Sequence, residues 1–325
     1  MAILVTGGSG AIGSWVVRRL LEEGKKPVVF DLRPNTLLID DIKKDIPIIQ
    51  GDILDMTKII RTIKEQKIDR IIHCAAEITA EVRRSEPFLE VRVLVDGTVN
   101  ILEASRLMDV QRVVYCSSRS AYGDVNPKHT QPPYPLVTEE EASPGGATPI
   151  YSASKFLMER VGLQYAKLGT DFVALRFGVV YGPGKIMTQG EKKSRATHAL
   201  LVVNAMRGQP TRVEKGGDGK IDCVYCKDVA DGAVKACFTE KPQSRIYNIS
   251  VGEGYSLKDW AKVVKKLFPN AIMEIGPGSI SELGMGGGIL DISKARKELS
   301  YEPHYHLEEG VEDFVKEMDR LKLMG

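Results

Sequence analysis

Short apolar runs alternate with longer stretches of helical periodicity along the first half of the chain. Five runs have the Val- and Ile-rich pattern of buried strands: Ala2–Val5, Pro27–Asp31, Ile46–Gln50, Arg70–Cys74 and Gln111–Cys116. Apolar residues recur at helical spacing over Ala11–Glu23, Asp55–Lys67, Pro87–Met108 and Tyr151–Leu168, and a further strand follows at Phe172–Leu175. Alternating strands and helices predict an α/β fold with a parallel sheet that is covered on both faces.

The pattern changes after about residue 177, where Gly and Pro separate shorter segments. Helices are predicted at Thr197–Arg207, Val229–Phe238, Leu257–Phe268 and Leu307–Leu321, and strands near Tyr247–Ile249 and Ile272–Ile275. We therefore expect residues 1–177 to form the sheet domain. Residues 178–325 are expected to form a smaller, mixed α/β substrate lobe that is interleaved with the end of the sheet.

Composition and charge exclude several classes of function. The chain has 325 residues with 45 Lys and Arg against 43 Asp and Glu, a net charge of +2. Such a balance gives no overall attraction to nucleic acid or to an anionic membrane. We find no secretory signal and no run of 18 apolar residues, so a cytoplasmic protein that does not span a membrane is expected.

The five cysteines, at 74, 116, 223, 226 and 237, are scattered and odd in number, which is typical of reduced thiols. Cys223 and Cys226 form a single CxxC pair. A metal or redox role for this pair is the alternative to two thiols near a strand end. Since no second pair and no nearby His accompany it, no metal site is predicted.

A glycine-rich turn follows the first predicted strand and opens the first predicted helix. The sequence TGGSGAIG places three glycines at intervals of three residues. Glycine permits a tight turn and close approach of a pyrophosphate, and the free N–H groups of a helix N-terminus favour phosphate. A purely structural turn is the alternative, but the strand, the helix and a later acidic residue all favour a dinucleotide site on a doubly wound, Rossmann-type sheet. The predicted phosphate-binding residues are Gly7, Gly10, Ala11, Ile12 and Gly13.

Asp31 ends the second predicted strand, where its carboxylate can accept both ribose hydroxyls of the adenosine half of a dinucleotide. It would repel a 2′-phosphate, so NAD is predicted as the cofactor. Arg33 lies two residues further on and is also placed at the cofactor; it keeps NADP open as the less favoured alternative.

Tyr151 and Lys155 are four residues apart on a predicted helix, so both project from one face. A neighbouring ammonium group favours phenolate. The pair is therefore predicted to move a proton while the cofactor moves a hydride. The alternative for this spacing is a solvated pair on a helix surface.

The chain resembles the extended short-chain dehydrogenase/reductases, the NAD-dependent epimerase/dehydratase group, over nearly its whole length. The resemblance rests on TGGSGAIG (6–13), Asp31, GDILD (51–55), IIHCAA (71–76), CSSRSAYG (116–123), YSASK (151–155), VYGPG (180–184), DCVYCKDVA (222–230) and YNIS (247–250). It implies that Ser118 holds the reacting oxygen, that Tyr151 is the general acid/base, and that Lys155 binds the nicotinamide ribose and tunes Tyr151. It also implies cofactor contacts from Asp52, Ile53, Cys74, Ala75, Ala76 and Phe177. His73, which lies within a buried strand, is interpreted as structural.

The sequence departs from the family pattern at several positions. Leu94 replaces a frequent Asn, and Arg119 and Ser120 follow Ser118 where dehydratases carry Asp-Glu, so sugar dehydration is disfavoured. Val179 and Ile221 stand where nucleotide-sugar enzymes often carry the Asn and Arg that hold a diphosphate. These two changes favour a substrate without a nucleotide.

One basic segment bears on the charge of the substrate. It comprises Lys185, Lys192, Lys193, Arg195 and His198. The pattern favours a solvated basic loop. The alternative is that these residues surround a substrate loop and hold a carboxylate or phosphate. Arg119, next to Ser118, is expected to face a substrate carboxylate.

Three functions follow. The main prediction is an NAD-dependent oxidoreductase that transfers hydride at a secondary alcohol of a small, polyhydroxylated, anionic or sugar-derived substrate. The alternative is a sugar or nucleotide-sugar epimerase, similar to UDP-glucose 4-epimerase, that oxidises transiently and retains NADH. The third is a non-catalytic NAD-binding regulator. The resemblance also implies a homodimer formed by the helices at Pro87–Met108 and Tyr151–Leu168; the first carries an apolar stripe of Val91, Val95, Val99 and Leu102.

Overall fold

Seven parallel strands form one sheet at the centre of the molecule. The computed structural model describes residues 1–76, 85–123, 125–142, 149–185, 197–279 and 288–323. The strands are β1 (Ala2–Thr6), β2 (Lys26–Asp31), β3 (Ile48–Gln50), β4 (Ile68–His73), β5 (Arg112–Ser118), β6 (Asp171–Phe177), β7 (Val179–Tyr181), β8 (Thr211–Val213), β9 (Cys223–Tyr225), β10 (Ile246–Ile249) and β11 (Met273–Ile275). The central sheet has the order β3-β2-β1-β4-β5-β6-β10, while β7 pairs with β9 and β8 with β11.

Helices cover both faces of this sheet. They are α1 (Gly13–Glu22), α2 (Met56–Gln66), α3 (Pro87–Val91), α4 (Gly97–Leu107), α5 (Ile150–Lys167), α6 (Thr197–Met206), α7 (Cys226–Phe238), α8 (Leu257–Leu267), α9 (Ser293–Leu299) and α10 (Leu307–Arg320). Helices α1 and α7 pack together on one face, and α2, α4 and α5 cover the other. The predicted α/β fold with a doubly wound parallel sheet is confirmed.

Alternation of side chains along each strand builds the two apolar layers. In β1, Ile3 and Val5 join the core beneath α1 and α7, while Leu4 joins the core on the opposite face. All three side chains are fully buried. Because both faces are covered, each strand reads as a continuous apolar run.

The helix predicted over Pro87–Met108 is interrupted by one wide turn. Residues Arg92–Asp96 form a π-helical turn between α3 and α4. Gly97 follows it against the Ile53 side chain, which a Cβ at Gly97 would meet at 2.5 Å. The extra residue in the turn breaks the predicted apolar stripe, so Val91 is 40% exposed while Leu102 is fully buried.

Within the described ranges, no helix is both long enough and apolar enough to cross a bilayer. All five cysteines are free thiols. Cys223 and Cys226 are both buried, Cys223 on β9 and Cys226 as the first residue of α7.

Candidate active site

The glycine turn at the carboxyl end of β1 is shaped by close backbone contacts. A Cβ at Gly7, where φ is +64°, would lie 2.9 Å from the backbone of Ala75, and a Cβ at Gly13 would lie 2.1 Å from the Gly7 carbonyl oxygen. The residue before α1, Ile12, provides no side-chain cap. The N–H groups of Ser14 and Trp15 donate to the carbonyl oxygens of Gly10 and Ile12, so the turn winds directly into the helix, and its N-terminal end has the form of a phosphate cradle.

Asp31 lies beside this turn at the carboxyl end of β2. Its Oδ2 atom accepts hydrogen bonds from the Ser9 hydroxyl at 2.7 Å and from the Ser9 N–H at 3.2 Å. The Ser9 hydroxyl in turn accepts from the N–H of Asn35 at 3.1 Å. Ser9 therefore orients the predicted ribose-binding carboxylate; the sequence contains it within TGGSG, but its partner is visible only in the structure. Arg33 is exposed at the same edge.

A cleft of about 590 Å³ runs from the glycine turn to the N-terminal end of α5. Its size suits an elongated small molecule. The predicted site residues that line it are Gly7, Gly10, Ala11, Ile12, Gly13, Asp31, Arg33, Asp52, Ile53, Cys74, Ala75, Ala76, Tyr151, Lys155 and Phe177. The structure thus brings the predicted cofactor residues together in one cavity with Tyr151 and Lys155.

Lys155 is 98% buried at the inner end of this cleft. Its Nζ atom donates a hydrogen bond to the Cys116 carbonyl oxygen at 2.6 Å and lies 5.7 Å from the ring centre of Tyr151. It also lies 4.6 Å from the ring centre of Tyr115, in a cation–π contact. The β5 backbone therefore holds the ammonium group near the phenol of Tyr151.

Ser118 is the last residue of β5, opposite Phe177 of β6. Its Oγ atom accepts a hydrogen bond from the N–H of Ser120 at 3.1 Å. Among the described residues, the cleft lining includes Ser117 and Ser120 rather than Ser118. Ser120 is therefore a candidate for substrate contact that the sequence analysis did not single out, although it lies in the same CSSRSAYG segment.

Beneath Tyr151 and Lys155, a buried polar network joins α5 to the sheet. Glu159, one turn after Lys155 on the same helix face, accepts from Ser117 Oγ at 2.6 Å, Arg176 Nε at 2.9 Å and Arg176 Nη2 at 2.6 Å. The side chains of Glu159 and Arg176 are both fully buried. Burial opposes the charge of Arg176, but the Glu159 carboxylate raises the pKa of Arg176 above its ordinary value. The network fixes α5 against β5 and β6.

His73 and His198 are both buried, and burial lowers the pKa of each ring. His73 Nδ1 lies 2.6 Å from Thr6 Oγ1 and Nε2 lies 3.2 Å from Thr98 Oγ1, while burial and the charge of Lys155 lower the pKa of His73 to about 3. His198 packs against Trp260 with a ring-centre distance of 5.4 Å, and burial lowers its pKa to about 4. The expectation that His198 holds a substrate anion is wrong, because this neutral ring is 99% buried in the apolar core.

Other expectations about the substrate end of the cleft have separate outcomes. Lys185 lines the cleft, whereas Lys192, Lys193 and Arg195 lie outside the described residues.

Arg119, expected to face a substrate carboxylate, lies within electrostatic reach of the buried Asp222 carboxylate. Burial disfavours the charged form of both groups: it lowers the pKa of Arg119 and raises the pKa of Asp222 to about 6. Ile221 is fully buried and bridges to Tyr255, so its position supports core packing.

The doubly wound sheet, the glycine turn and the Tyr151–Lys155 pair in one cleft together define a dinucleotide-binding enzyme. The chain belongs to the NAD dependent epimerase/dehydratase family, whose model matches residues 3–250. The resemblance stated from the motifs is therefore confirmed, and so is NAD as the cofactor. The residues present suit this cofactor, since the tight glycine turn, which a Cβ at Gly7 or Gly13 would break, lines one cleft together with Asp31, Tyr151 and Lys155.

The relatives and solved structures that the chain resembles include UDP-glucose 4-epimerases. The chain is 28% identical to the UDP-glucose 4-epimerase of Erwinia amylovora over 335 residues, which cover 96% of each chain. It superposes on a UDP-glucose 4-epimerase from Thermotoga maritima, crystallised with UDP-glucose, with a TM-score of 0.82 and 25% identity over 98% of this chain and 99% of that one. The Thermus thermophilus UDP-glucose 4-epimerase in complex with NAD gives a TM-score of 0.79 and 26% identity over the same shares. These findings favour the epimerase alternative over the dehydrogenase that the sequence analysis preferred.

Proposed function

We propose that the protein is an NAD-dependent sugar epimerase that acts on a nucleotide sugar. The main support is the single cleft that joins the glycine turn to the Tyr151 and Lys155 pair. Further support comes from relatives of matching length that are UDP-glucose 4-epimerases. We assign the cofactor to the predicted residues that line this cleft.

NAD, when bound, supplies the acceptor and donor of the hydride at a secondary alcohol. In the proposed reaction, Ser118 or the neighbouring Ser120 donates a hydrogen bond to the reacting sugar oxygen. The Tyr151 phenolate takes the hydroxyl proton and later returns it to the same oxygen, after the ketone has turned its other face to the cofactor and the configuration at the carbon has been inverted. Lys155, held by the Cys116 carbonyl oxygen, favours the phenolate by its positive charge.

A dehydrogenase that releases its oxidised product is the second candidate. It is favoured by Val179 and Ile221, which stand where nucleotide-sugar enzymes often hold a diphosphate; Ile221 is fully buried. A small acidic polyol or sugar acid would then be the substrate, with Lys185 at the cleft as one cation that could hold it.

One experiment separates the two candidates. The purified protein is incubated with NAD and with UDP-glucose, UDP-galactose, UDP-glucuronic acid, sugar acids or polyols, while NADH absorbance and products are followed together. Conversion of a UDP-sugar to its epimer without net NADH supports the proposal. Stoichiometric NADH with an oxidised product supports the dehydrogenase, and absence of turnover with every substrate, while NAD still binds, supports the regulator.

We also propose a cytoplasmic homodimer. Phe88 on α3 and Leu157 on α5 are 75% and 47% exposed, on two helices that contact each other. This apolar exposure on the face expected to dimerise supports a second copy of the chain as its cover. Five free thiols support a reducing compartment.

A further inference from the structure

Two cysteine side chains meet on the wall of the cofactor cleft. His73 of β4 lies opposite Tyr115 of β5, which places the next residues, Cys74 and Cys116, side by side at the carboxyl ends of these strands. Their Sγ atoms are 3.3 Å apart. Both residues belong to the cleft lining. The proximity follows from strand register and is not visible from the spacing of 42 residues along the chain.

The backbone geometry allows these thiols to be joined. Neighbouring strands lie about 4.7–4.9 Å apart, and disulfides occur between Cα atoms about 4.4–6.8 Å apart. Side chains at opposite positions of neighbouring strands project from the same face of the sheet. A bond would require the two sulfur atoms to approach to about 2.05 Å, which is a short movement from their present contact.

Access to the pair is from the cleft. Cys116 is 95% buried, whereas Cys74 is only half-buried. The other three cysteines are buried, and none of them is among the described residues that line the cleft. The hydrogen bond to Cys116 and burial raise the pKa of Cys74 well above its usual value. Attack by Cys74 therefore draws on a small thiolate fraction.

The backbone of one of these cysteines also holds Lys155. The Cys116 carbonyl oxygen accepts the 2.6 Å hydrogen bond from Lys155 Nζ. A bond that draws Cys116 toward Cys74 would change the wall on which the cofactor lies and would shift the acceptor of this lysine. Oxidation would therefore act on cofactor binding directly.

We infer that Cys74 and Cys116 are an oxidation site of the empty cofactor cleft, at which a peroxide converts two thiols into one disulfide and a bound dinucleotide prevents it. The Cys74 sulfur attacks one peroxide oxygen, forming a sulfenic acid and releasing one water molecule. The Cys116 sulfur then attacks the sulfenic sulfur, the S–S bond forms, and the second water leaves. Two thiols lose two electrons and two protons, and one hydrogen peroxide becomes two water molecules.

The test uses NAD-depleted protein treated with hydrogen peroxide and digested with trypsin without a reductant. Cleavage at Arg70, Arg83, Arg112 and Arg119 releases IIHCAAEITAEVR (71–83) and VVYCSSR (113–119). We expect one joined peptide whose mass is two hydrogens below the sum of the two. NAD at about 100 times its dissociation constant leaves about 1% of the clefts empty, so linking should slow by about 100-fold.

Binding provides a second readout that does not depend on identifying the substrate. The linked protein should bind NAD at least about tenfold more weakly, a change of about 1.4 kcal/mol, and dithiothreitol should restore its affinity. Cys116→Ala should give no joined peptide and no further loss of NAD affinity on peroxide treatment, relative to its own untreated affinity. The matched control, Cys223→Ala with Cys226→Ala, alters the CxxC pair, which lies outside the described cleft lining, and should link Cys74 to Cys116 as the unchanged protein does.

The inference is overturned if no joined peptide forms, if Cys74 only gains oxygen atoms, or if NAD leaves the linking rate unchanged. It is also overturned if the loss of NAD affinity persists in Cys116→Ala. None of these outcomes depends on whether the enzyme is an epimerase or a dehydrogenase, because the joined peptide and NAD affinity are measured without turnover.

Discussion

Glu159 and Arg176 form an ion pair that is fully enclosed between α5 and β6, with both nitrogen–oxygen hydrogen bonds under 3 Å. The carboxylate also accepts from Ser117, one residue before Ser118. Glu159 follows Tyr151 by eight residues on the same face of α5. The pair therefore connects the helix that carries the proposed acid/base to the strand that carries the proposed oxygen-binding serine.

Removing one charge of this pair should weaken folding strongly. Glu159→Gln leaves the Arg176 guanidinium buried without its counter-charge, which typically costs about 3–5 kcal/mol. Denaturant unfolding should report a loss of this order in the free energy of unfolding. Glu103→Gln is the matched control, since Glu103 pairs with Arg106 at the surface and such pairs contribute about 0–1 kcal/mol. Equal losses in both variants would contradict the role of burial.

Tyr151→Phe should abolish turnover while NAD still binds. Loss of the proton-transfer group is expected to lower kcat by about 10²–10⁴-fold. The NAD dissociation constant should change by less than about tenfold, the most that loss of one neutral hydrogen bond costs. Tyr165→Phe, on the same helix and close to Glu103, should retain activity. An active Tyr151→Phe variant would refute the proposed acid/base.

Asp31 should determine the choice between NAD and NADP. Asp31→Ala removes hydrogen bonds to a charged acceptor, so the NAD dissociation constant should rise by about 10- to 150-fold. The same change removes the repulsion of a 2′-phosphate beside Arg33, so binding of NADP should improve relative to NAD. Isothermal titration with both cofactors measures the change, with the exposed Asp45→Ala as control. An unchanged preference for NAD over NADP would show that Asp31 does not contact the adenosine ribose.

His198 should make the fold sensitive to acid. Its pKa is lowered from an ordinary 6.5 to about 4 in the folded state, so the unfolded chain binds the proton first as pH falls. Stability is therefore full above pH 6.5 and decreases between 6.5 and about 4, by up to about 3 kcal/mol. His198→Leu should reduce the slope of stability against pH in this window and leave the dependence due to His73, whose pKa is lowered further, to about 3, whereas His306→Gln at the surface should leave the slope unchanged. An unchanged slope in His198→Leu would show that the ring is protonated in the folded protein.

The exposed apolar residues on α3 and α5 should be covered in a dimer. Light scattering is expected to give the mass of two chains. Leu157→Asp should shift the mass toward one chain, because a carboxylate in an apolar interface loses its hydration. Leu168→Asp replaces an equally apolar and more exposed residue, 67% exposed, just beyond the end of α5, and should leave the dimer intact. A single-chain mass for the unchanged protein would reject this assembly.

The central sheet was predictable because each buried strand has its own local pattern. The predicted strand at Phe172–Leu175 lies inside β6, and the helix predicted over Tyr151–Leu168 differs from α5 by one residue at each end. The motifs are equally local, so the glycine turn, Asp31 and the Tyr151–Lys155 pair can be recognised from the order of residues alone. Their meeting in one cleft follows from parallel strands whose carboxyl ends share an edge.

Features that depend on tertiary contact were not predictable in this way. The π-helical turn at Arg92–Asp96 accompanies close packing of Gly97 on Ile53, residues far apart in the chain. The seven-residue helix α9 and the three-residue strands β7, β8 and β9 are too short for a clear period, whereas β11 lies inside the strand predicted near Ile272–Ile275. His198 was assigned to a basic loop because its neighbours are charged, yet α6 carries it into the core against Trp260.

The seventh strand of the sheet has a consequence for synthesis of the chain on the ribosome. Strand β10 pairs with β6, and α7 covers the face of the sheet that α1 shares, yet both segments are made after residue 225. At about 5–20 residues per second, the ribosome needs about 4–14 s to extend the chain from the end of β6 to the end of β10. Val173 and Leu175 have no α7 above them until residue 238 is made. The edge of β6 stays unpaired, and open to pairing with another chain, until translation has passed Ile249.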